Sequence, residues 1–173
     1  MLKVKYSLSK SDLYNGLVEV SRSGKVAKGA RIFGVFLLII GIFTTTVSLA
    51  NNSFSLTFGF IFNFIMGIYS TFLSEIATKF QVPQLIKSKN TITEETTLEL
   101  NEKAFLLQGE SYKSELALET LRSVIESKKF FILKVSDQAG YIIPKRVLSD
   151  NQILYFKTVV ASLKQPKIKL QPV

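Results

Sequence analysis

SFSLTFGFIF, residues Ser53–Phe62, sets an apolar side chain at every second position from Phe54 to Phe62, the period of a half-buried β-strand. The same ten residues lie inside Ile32–Ser74, a run of 43 residues with no Asp, Glu, Lys or Arg. A hydrocarbon core about 30 Å thick needs about 20 helical residues per crossing, so the run has room for two crossings. Its one polar, turn-like cluster is Asn51-Asn52-Ser53. Twelve of the nineteen residues Ile32–Ala50 and eleven of the residues Phe54–Ser74 are Val, Ile, Leu or Phe. Each of these favours insertion by about 0.3–0.6 kcal/mol near a span centre.

A second period decides between strand and span. Gly59, Asn63, Gly67, Ser70 and Ser74 recur every three or four residues, so on a helix they share one face. Gly34, Gly41, Thr45 and Ser48 do the same in the first segment. Small-residue faces let two helices approach closely in lipid, and they also offer a route to homo-oligomers. A lone strand would leave backbone N–H and C=O groups unpaired in hydrocarbon, at several kcal/mol each. The expectation is a transmembrane hairpin, with spans at 32–50 and 53–74.

Charge is distributed around this block. Residues 1–31 carry net +5, residues 75–173 net +4, and the apolar run none, which together give the overall +9. Lys25, Lys28 and Arg31 precede the first span, Lys79, Lys87 and Lys89 follow the second, and the connecting loop has no basic residue. By the bias of Lys and Arg toward the cytoplasmic side, both termini are expected there. Acids alternate with bases through the later part, as in Glu94-Glu95, Glu99, Glu102-Lys103 and Glu110. Nucleic acid is excluded as a partner on that ground, since it requires clustered phosphate contacts.

Flanking segments read as a small soluble domain. Leu2, Val4, Tyr6 and Leu8 alternate with polar residues over 1–9, an apolar-faced strand that needs a sheet to join. A juxtamembrane helix follows within 10–31, beginning at Ser11-Asp12. Residues 75–90, with Pro83 and a polar KSKNT stretch, read as a linker. Over 91–163 the segments TTLEL, AFLLQ, YKSELAL, RSVIES, FFILKV and GYIIP alternate with turn-like NEK, GES, SKK and SDQAG, a run of six antiparallel strands. Ser149 and Gln152 form a capping-box pattern ahead of Ile153, Phe156, Val160 and Leu163 at helical spacing. Residues 164–173, with two Pro and three Lys, read as a flexible basic tail. The fold class is therefore an α+β membrane protein. A transmembrane hairpin carries a small antiparallel β domain that is joined by the N-terminal strand and closed by a C-terminal helix.

Three features together resemble the YcxB-like family of small bacterial membrane proteins: Tyr6-Ser7-Leu8-Ser9-Lys10-Ser11-Asp12, the paired spans, and Tyr141-Ile142-Ile143-Pro144-Lys145-Arg146 before the last helix. The resemblance implies a pleckstrin-homology-like domain and residence in the bacterial inner membrane. It implies no activity. The chain departs from the family pattern in having no Trp ahead of Ser123–Glu126; Glu119 falls near that place.

Chemistry is sparse. With no Cys and no His, thiol nucleophiles, disulfides, most zinc sites and the usual neutral-pH proton shuttle are excluded. Neither span carries an ionisable group, so no proton or ion path is indicated. The residues point to no cofactor, no metal and no catalytic group. Lys145 and Arg146, after a strand ending in Pro144, are expected at a sheet rim, read either as an ordinary solvated turn or as a basic rim that with Lys87 and Lys89 would meet anionic lipid at about 1 kcal/mol each. The functional expectation is a membrane-anchored, non-enzymatic binding or regulatory module with the bilayer and a protein as partners. Two further readings are an inner-membrane immunity protein facing a toxin, and a small accessory subunit of a transporter or channel.

Overall fold

The computed structural model describes residues 1–88, 94–136, 139–163 and 166–171. The chain divides into two units, Met1–Val20 with Phe80–Val173, and Ser21–Lys79. The architecture is α+β, with helices and largely antiparallel sheets.

The first unit holds two four-stranded sheets. In one, β1 (Leu2–Tyr6), β2 (Thr96–Leu100), β3 (Ala104–Gln108) and β4 (Lys113–Ala117) lie in that order, all antiparallel. Strand β1 pairs with β2 in the register Leu2↔Leu100, Val4↔Leu98 and Tyr6↔Thr96, so the alternating apolar face of residues 2–6 turns to the core. The other sheet runs β7 (Gly140–Pro144), β6 (Phe130–Lys134), β5 (Ser123–Glu126) and β8 (Lys167–Lys169). Strand β8 lies parallel to β5, with Val124 opposite Ile168. Residues 167–169 are thus a sheet strand, which corrects the expectation of a flexible tail. Ile168 and Leu170 pack against the core, and that apolar anchoring outweighs the Lys and Pro content around them.

Strand β6 shows why the second sheet is buried on both sides. Phe131 and Leu133 enter the main core with Leu98, Phe105, Val124 and Ile143, while Phe130 and Ile132 join a second cluster with Ile142 and Val20. Val20 lies on α1 (Lys10–Arg22), which covers that outer face. All five residues of β6 are buried, so Phe130–Leu133 is a continuous apolar run rather than an alternation, closed by the buried Lys134. Helix α5 (Asp150–Ala161) closes the main core with Phe156, whose ring stacks on Phe131 at 4.3 Å between centroids. Its first turn is fixed by the capping box: the Gln152 N–H donates to Ser149 Oγ, and the Ser149 N–H donates to Gln152 Oε1. Helix α1 starts two residues earlier than its sequence suggests. Ser9 and Asp12 bond reciprocally, the Asp12 N–H to Ser9 Oγ and the Ser9 N–H to the Asp12 carboxylate, so Ser9 caps the helix.

The second unit is built on α2 (Lys25–Ala50) and α3 (Phe58–Thr71), packed against each other. Helix α2 is long and apolar enough to cross a membrane, by length and composition. Helix α3 has 14 residues, about 21 Å at 1.5 Å per residue, which is short of a crossing by itself. It makes a second candidate only when taken together with α4 (Leu73–Ser88), across a bend of 62° at Phe72. Two sequence expectations are corrected here. Residues 53–57 are not helical; Ser53, Ser55 and Thr57 carry hydroxyls that compete for backbone groups. The Thr57 side chain caps the helix by accepting from the Phe60 N–H. Residues 75–88 are helix rather than linker, and α4 continues through Pro83.

Candidate functional site

In the first unit, the ends of β1, β2 and β3, the start of β7, one face of α1 and the last turns of α4 enclose a groove of about 520 Å³. Its walls are apolar: Leu8, Leu13, Leu17, Val20, Leu85, Leu107 and Ile142. Its polar side chains are Gln81, Thr96 and three tyrosines, and each phenol hydroxyl is held from another strand or segment. The Tyr6 hydroxyl donates to the Ile142 carbonyl at 3.4 Å, Tyr112 shares a hydrogen bond of 2.8 Å with Thr96, and Tyr141 one of 2.9 Å with Ser114. Burial, with the neighbouring Tyr112, pushes the Tyr6 phenol well above its ordinary range, so it stays neutral. Among the described residues that line the groove, none is Asp, Glu, Lys or Arg. A site of this size, apolar with a few fixed hydroxyls, suits a small neutral and largely hydrophobic ligand. Its lining offers no acid–base pair, and no cluster of carboxylates among the described residues is placed to hold a metal ion.

Lys145 and Arg146 do not form a free basic rim. The Lys145 ammonium donates to Glu126 at 2.5 Å and lies over the Phe131 ring. Glu126 also accepts from Lys157 at 3.1 Å and from the Gln171 backbone N–H at 2.8 Å. This buried carboxylate joins β5, the turn after β7, α5 and the segment after β8. The Arg146 guanidinium donates to Asp12 at 2.5 Å and to the Ser7 carbonyl at 3.1 Å, tying the same turn to the start of α1. Each charge answers an acid of the domain, and Arg146 is still 54% exposed. Lys79 and Lys87 are exposed on α4 and Lys25 is exposed on the first turn of α2. Lys89 lies outside the described residues.

The helix pair uses part of the small-residue stripes. Gly34, Gly41 and Gly67 are buried. A Cβ on Gly34 would come within 2.5 Å of the Thr71 backbone nitrogen, one on Gly41 within 2.9 Å of Phe64, and one on Gly67 within 2.9 Å of Leu38. The Thr45 hydroxyl donates back to the Gly41 carbonyl at 2.6 Å. Ser74 is bonded by the Ser21 hydroxyl at 3.0 Å, and Ser70 lines a small cavity with Arg22, Lys28 and Arg31. Gly59 has open space where a Cβ would stand. Ser48, Gly59 and Asn63 instead line a polar cavity of about 360 Å³ with Thr44, Ser53 and Thr57, and Asn63 Oδ1 is buried there without a hydrogen-bond partner among the described residues.

Sequence reading missed the groove and the Glu126 junction. Glu126 left a trace: it shares the buried face of β5 with Val124, an inward strand position at which an acid requires partners. The groove left none, because its walls come from four separate stretches of chain, within residues 6–20, 81–85, 96–112 and 139–142.

Residues 100–160 match the sequence profile of the family described as YcxB-like protein, so the resemblance expected from the sequence holds over β3 to α5. Neither a curated protein nor a solved structure matches the chain.

Proposed function

We propose that this chain, YcxB-like over residues 100–160, is a membrane-tethered, non-enzymatic binding module of the bacterial inner membrane that takes a neutral, largely apolar ligand in the tyrosine-walled groove. The observation that carries the reading is the groove itself, with about 520 Å³ of uncharged lining. Tethering is supported by the outer surface of the second unit. Ile32, Phe36, Ile39, Phe43, Phe62, Ile65 and Ile68 are exposed there while Gly34, Gly41 and Gly67 face inward. Soluble monomers rarely leave so large an apolar surface open to water, whereas lipid covers it without cost. The two sheets closed by a C-terminal helix agree with the pleckstrin-homology-like domain that the family resemblance implies.

The test uses the full chain in lipid nanodiscs with labelled Ile, Leu and Val methyl groups, titrated with the water-soluble probe 4-methylphenol. Saturable shifts should appear at Leu17, Leu107 and Ile142 and disappear in a groove-filling Leu85→Trp variant. Shifts confined to the exposed methyls of α2 and α3, or unaltered by Leu85→Trp, would mean partitioning into lipid and would overturn the site.

A further inference from the structure

The second unit contains a separate, partly open cavity at the end of its apolar surface, with Lys28 and Arg31 exposed at its rim. Arg22, Lys28 and Arg31 line a cavity of about 160 Å³ with Thr71, Ser74 and Glu75. Three cations against one carboxylate give its lining a net charge of +2. Glu75 is taken by Arg22, which is ion-paired with it. Lys28 and Arg31 form no ion pair among the described residues, although the Arg31 charge also acts on Glu75 at longer range.

Helix α2 adds to the positive field. Its first turn has no acidic residue, and its N-cap, Gly24, supplies no side-chain acceptor. The first-turn N–H groups gain no side-chain cap, and the dipole of a 26-residue helix is positive at the end from which Ala27 and Lys28 line the cavity. Ser74 accepts from Ser21 and keeps its own proton to donate, whereas the Thr71 proton goes to the Gly67 carbonyl, so Thr71 shapes the wall without adding a donor.

Position in the chain identifies what would fill such a site. Arg31 is followed directly by Ile32 and Phe33, the first exposed apolar residues of α2 beyond the cavity, and Phe72, exposed, precedes Leu73 and Ser74 of the lining. The cavity therefore stands where an apolar surface gives way to polar side chains on both legs of the helix pair. An occupant must carry a negative group for the cations and an apolar part for the adjoining surface. We propose that the cavity lined by Arg22, Lys28, Arg31 and Ser74 binds the phosphodiester of an anionic phospholipid headgroup, with the acyl chains lying along Ile32, Phe33 and Phe72. Guanidinium groups suit phosphate oxygens through paired N–H donors, and Lys28 contributes a point charge. The proposal rests on the reading that the second unit lies in a bilayer.

Native mass spectrometry of the full chain in detergent, mixed with equal amounts of phosphatidylglycerol and phosphatidylcholine, tests it. One phosphatidylglycerol should be retained per chain, saturably and in preference to phosphatidylcholine. Lys28→Ala with Arg31→Ala should weaken that retention roughly 30-fold, the effect of two basic residues at a lipid surface. The same loss of charge at Lys128→Ala with Lys129→Ala, in the turn before β6, should leave it unchanged. Equal losses from both pairs, or no preference for the anionic lipid, would overturn the proposal. Displacement of the lipid by millimolar inorganic phosphate would assign the cavity to free phosphate instead, and so overturn the lipid as its source. Recovery of the chain in the soluble fraction of lysed cells would remove the bilayer reading itself, a result separate from all of these.

Discussion

Replacing Glu126 with Ala should be the most damaging single change in the sheet unit. The carboxylate side chain is 2% exposed and accepts from Lys145 at 2.5 Å, Lys157 at 3.1 Å and the Gln171 N–H at 2.8 Å. Its loss strands two ammonium groups whose side chains are 17% and 14% exposed. Removing one partner of a buried pair costs about 3–5 kcal/mol, mostly the desolvation of the charge left behind. At about 4 °C per kcal/mol for a unit of this size, the melting temperature should fall by roughly 12–20 °C. Five of the six tyrosines lie in this unit, so near-ultraviolet circular dichroism in the tyrosine band follows its melting in the full chain. Lys145→Met should cost less, since Glu126 keeps Lys157. Acid titration gives a second readout. Burial works against the Glu126 charge, but the hydrogen bonds from Lys145, Gln171 and Lys157 outweigh it and hold the carboxyl below its ordinary value. The stabilisation is therefore fully present above an unfolded pKa of about 4.3 and is lost as pH falls through the lowered native value. Glu126→Gln should flatten that acid limb. A loss below about 1 kcal/mol on Glu126→Ala, the range of an exposed pair, would refute the reasoning.

Three further changes follow from single contacts. The hydrogen bond from Arg146, helped by Ser9, lowers the Asp12 carboxyl to about 2; a carboxyl-carbon titration should find that midpoint, and Arg146→Ala should return it toward the ordinary carboxylate range. Gly34→Leu should separate α2 from α3 and cost about 3 kcal/mol, because a Cβ there meets the Thr71 backbone at 2.5 Å, whereas Gly59→Leu, with nothing within 4 Å, should be tolerated in the same detergent melt. Gly16→Ala should destabilise the packing of α1, since the added methyl would stand 2.6 Å from Ile142; an unchanged melting temperature would mean that Ile142 gives way freely.

Local periodicity made much of the fold legible and failed where long-range cover decides. The alternation of Leu2, Val4 and Tyr6 marked β1, and the turn residues between short apolar runs marked β2 to β7. Ser149 and Gln152 marked the start of α5. Strand β8 was hidden because KIK carries one apolar residue, and its pairing depends on β5 being an open edge nearby. The continuation of α4 through Pro83 was hidden because proline argues locally against a helix, while Leu85 of the same helix faces the groove. The Phe54–Phe62 alternation divides at Thr57, whose capping hydroxyl ends an extended segment and begins α3, so one period covered two conformations. At Lys145 and Arg146 the charges were legible but their partners were not, because Glu126 and Asp12 lie 19 and 134 residues away along the chain.

The proposed membrane tethering, in the expected form of two crossings with both ends on the cytoplasmic side, is tested most directly by labelling, since the chain has no native Cys. A single Cys replacing Asn52, in the turn after α2, should react with a membrane-impermeant thiol reagent in spheroplasts, and one replacing Ser136, in the turn after β6, only after lysis. Labelling at Ser136→Cys from outside, or protection of Asn52→Cys, would contradict it.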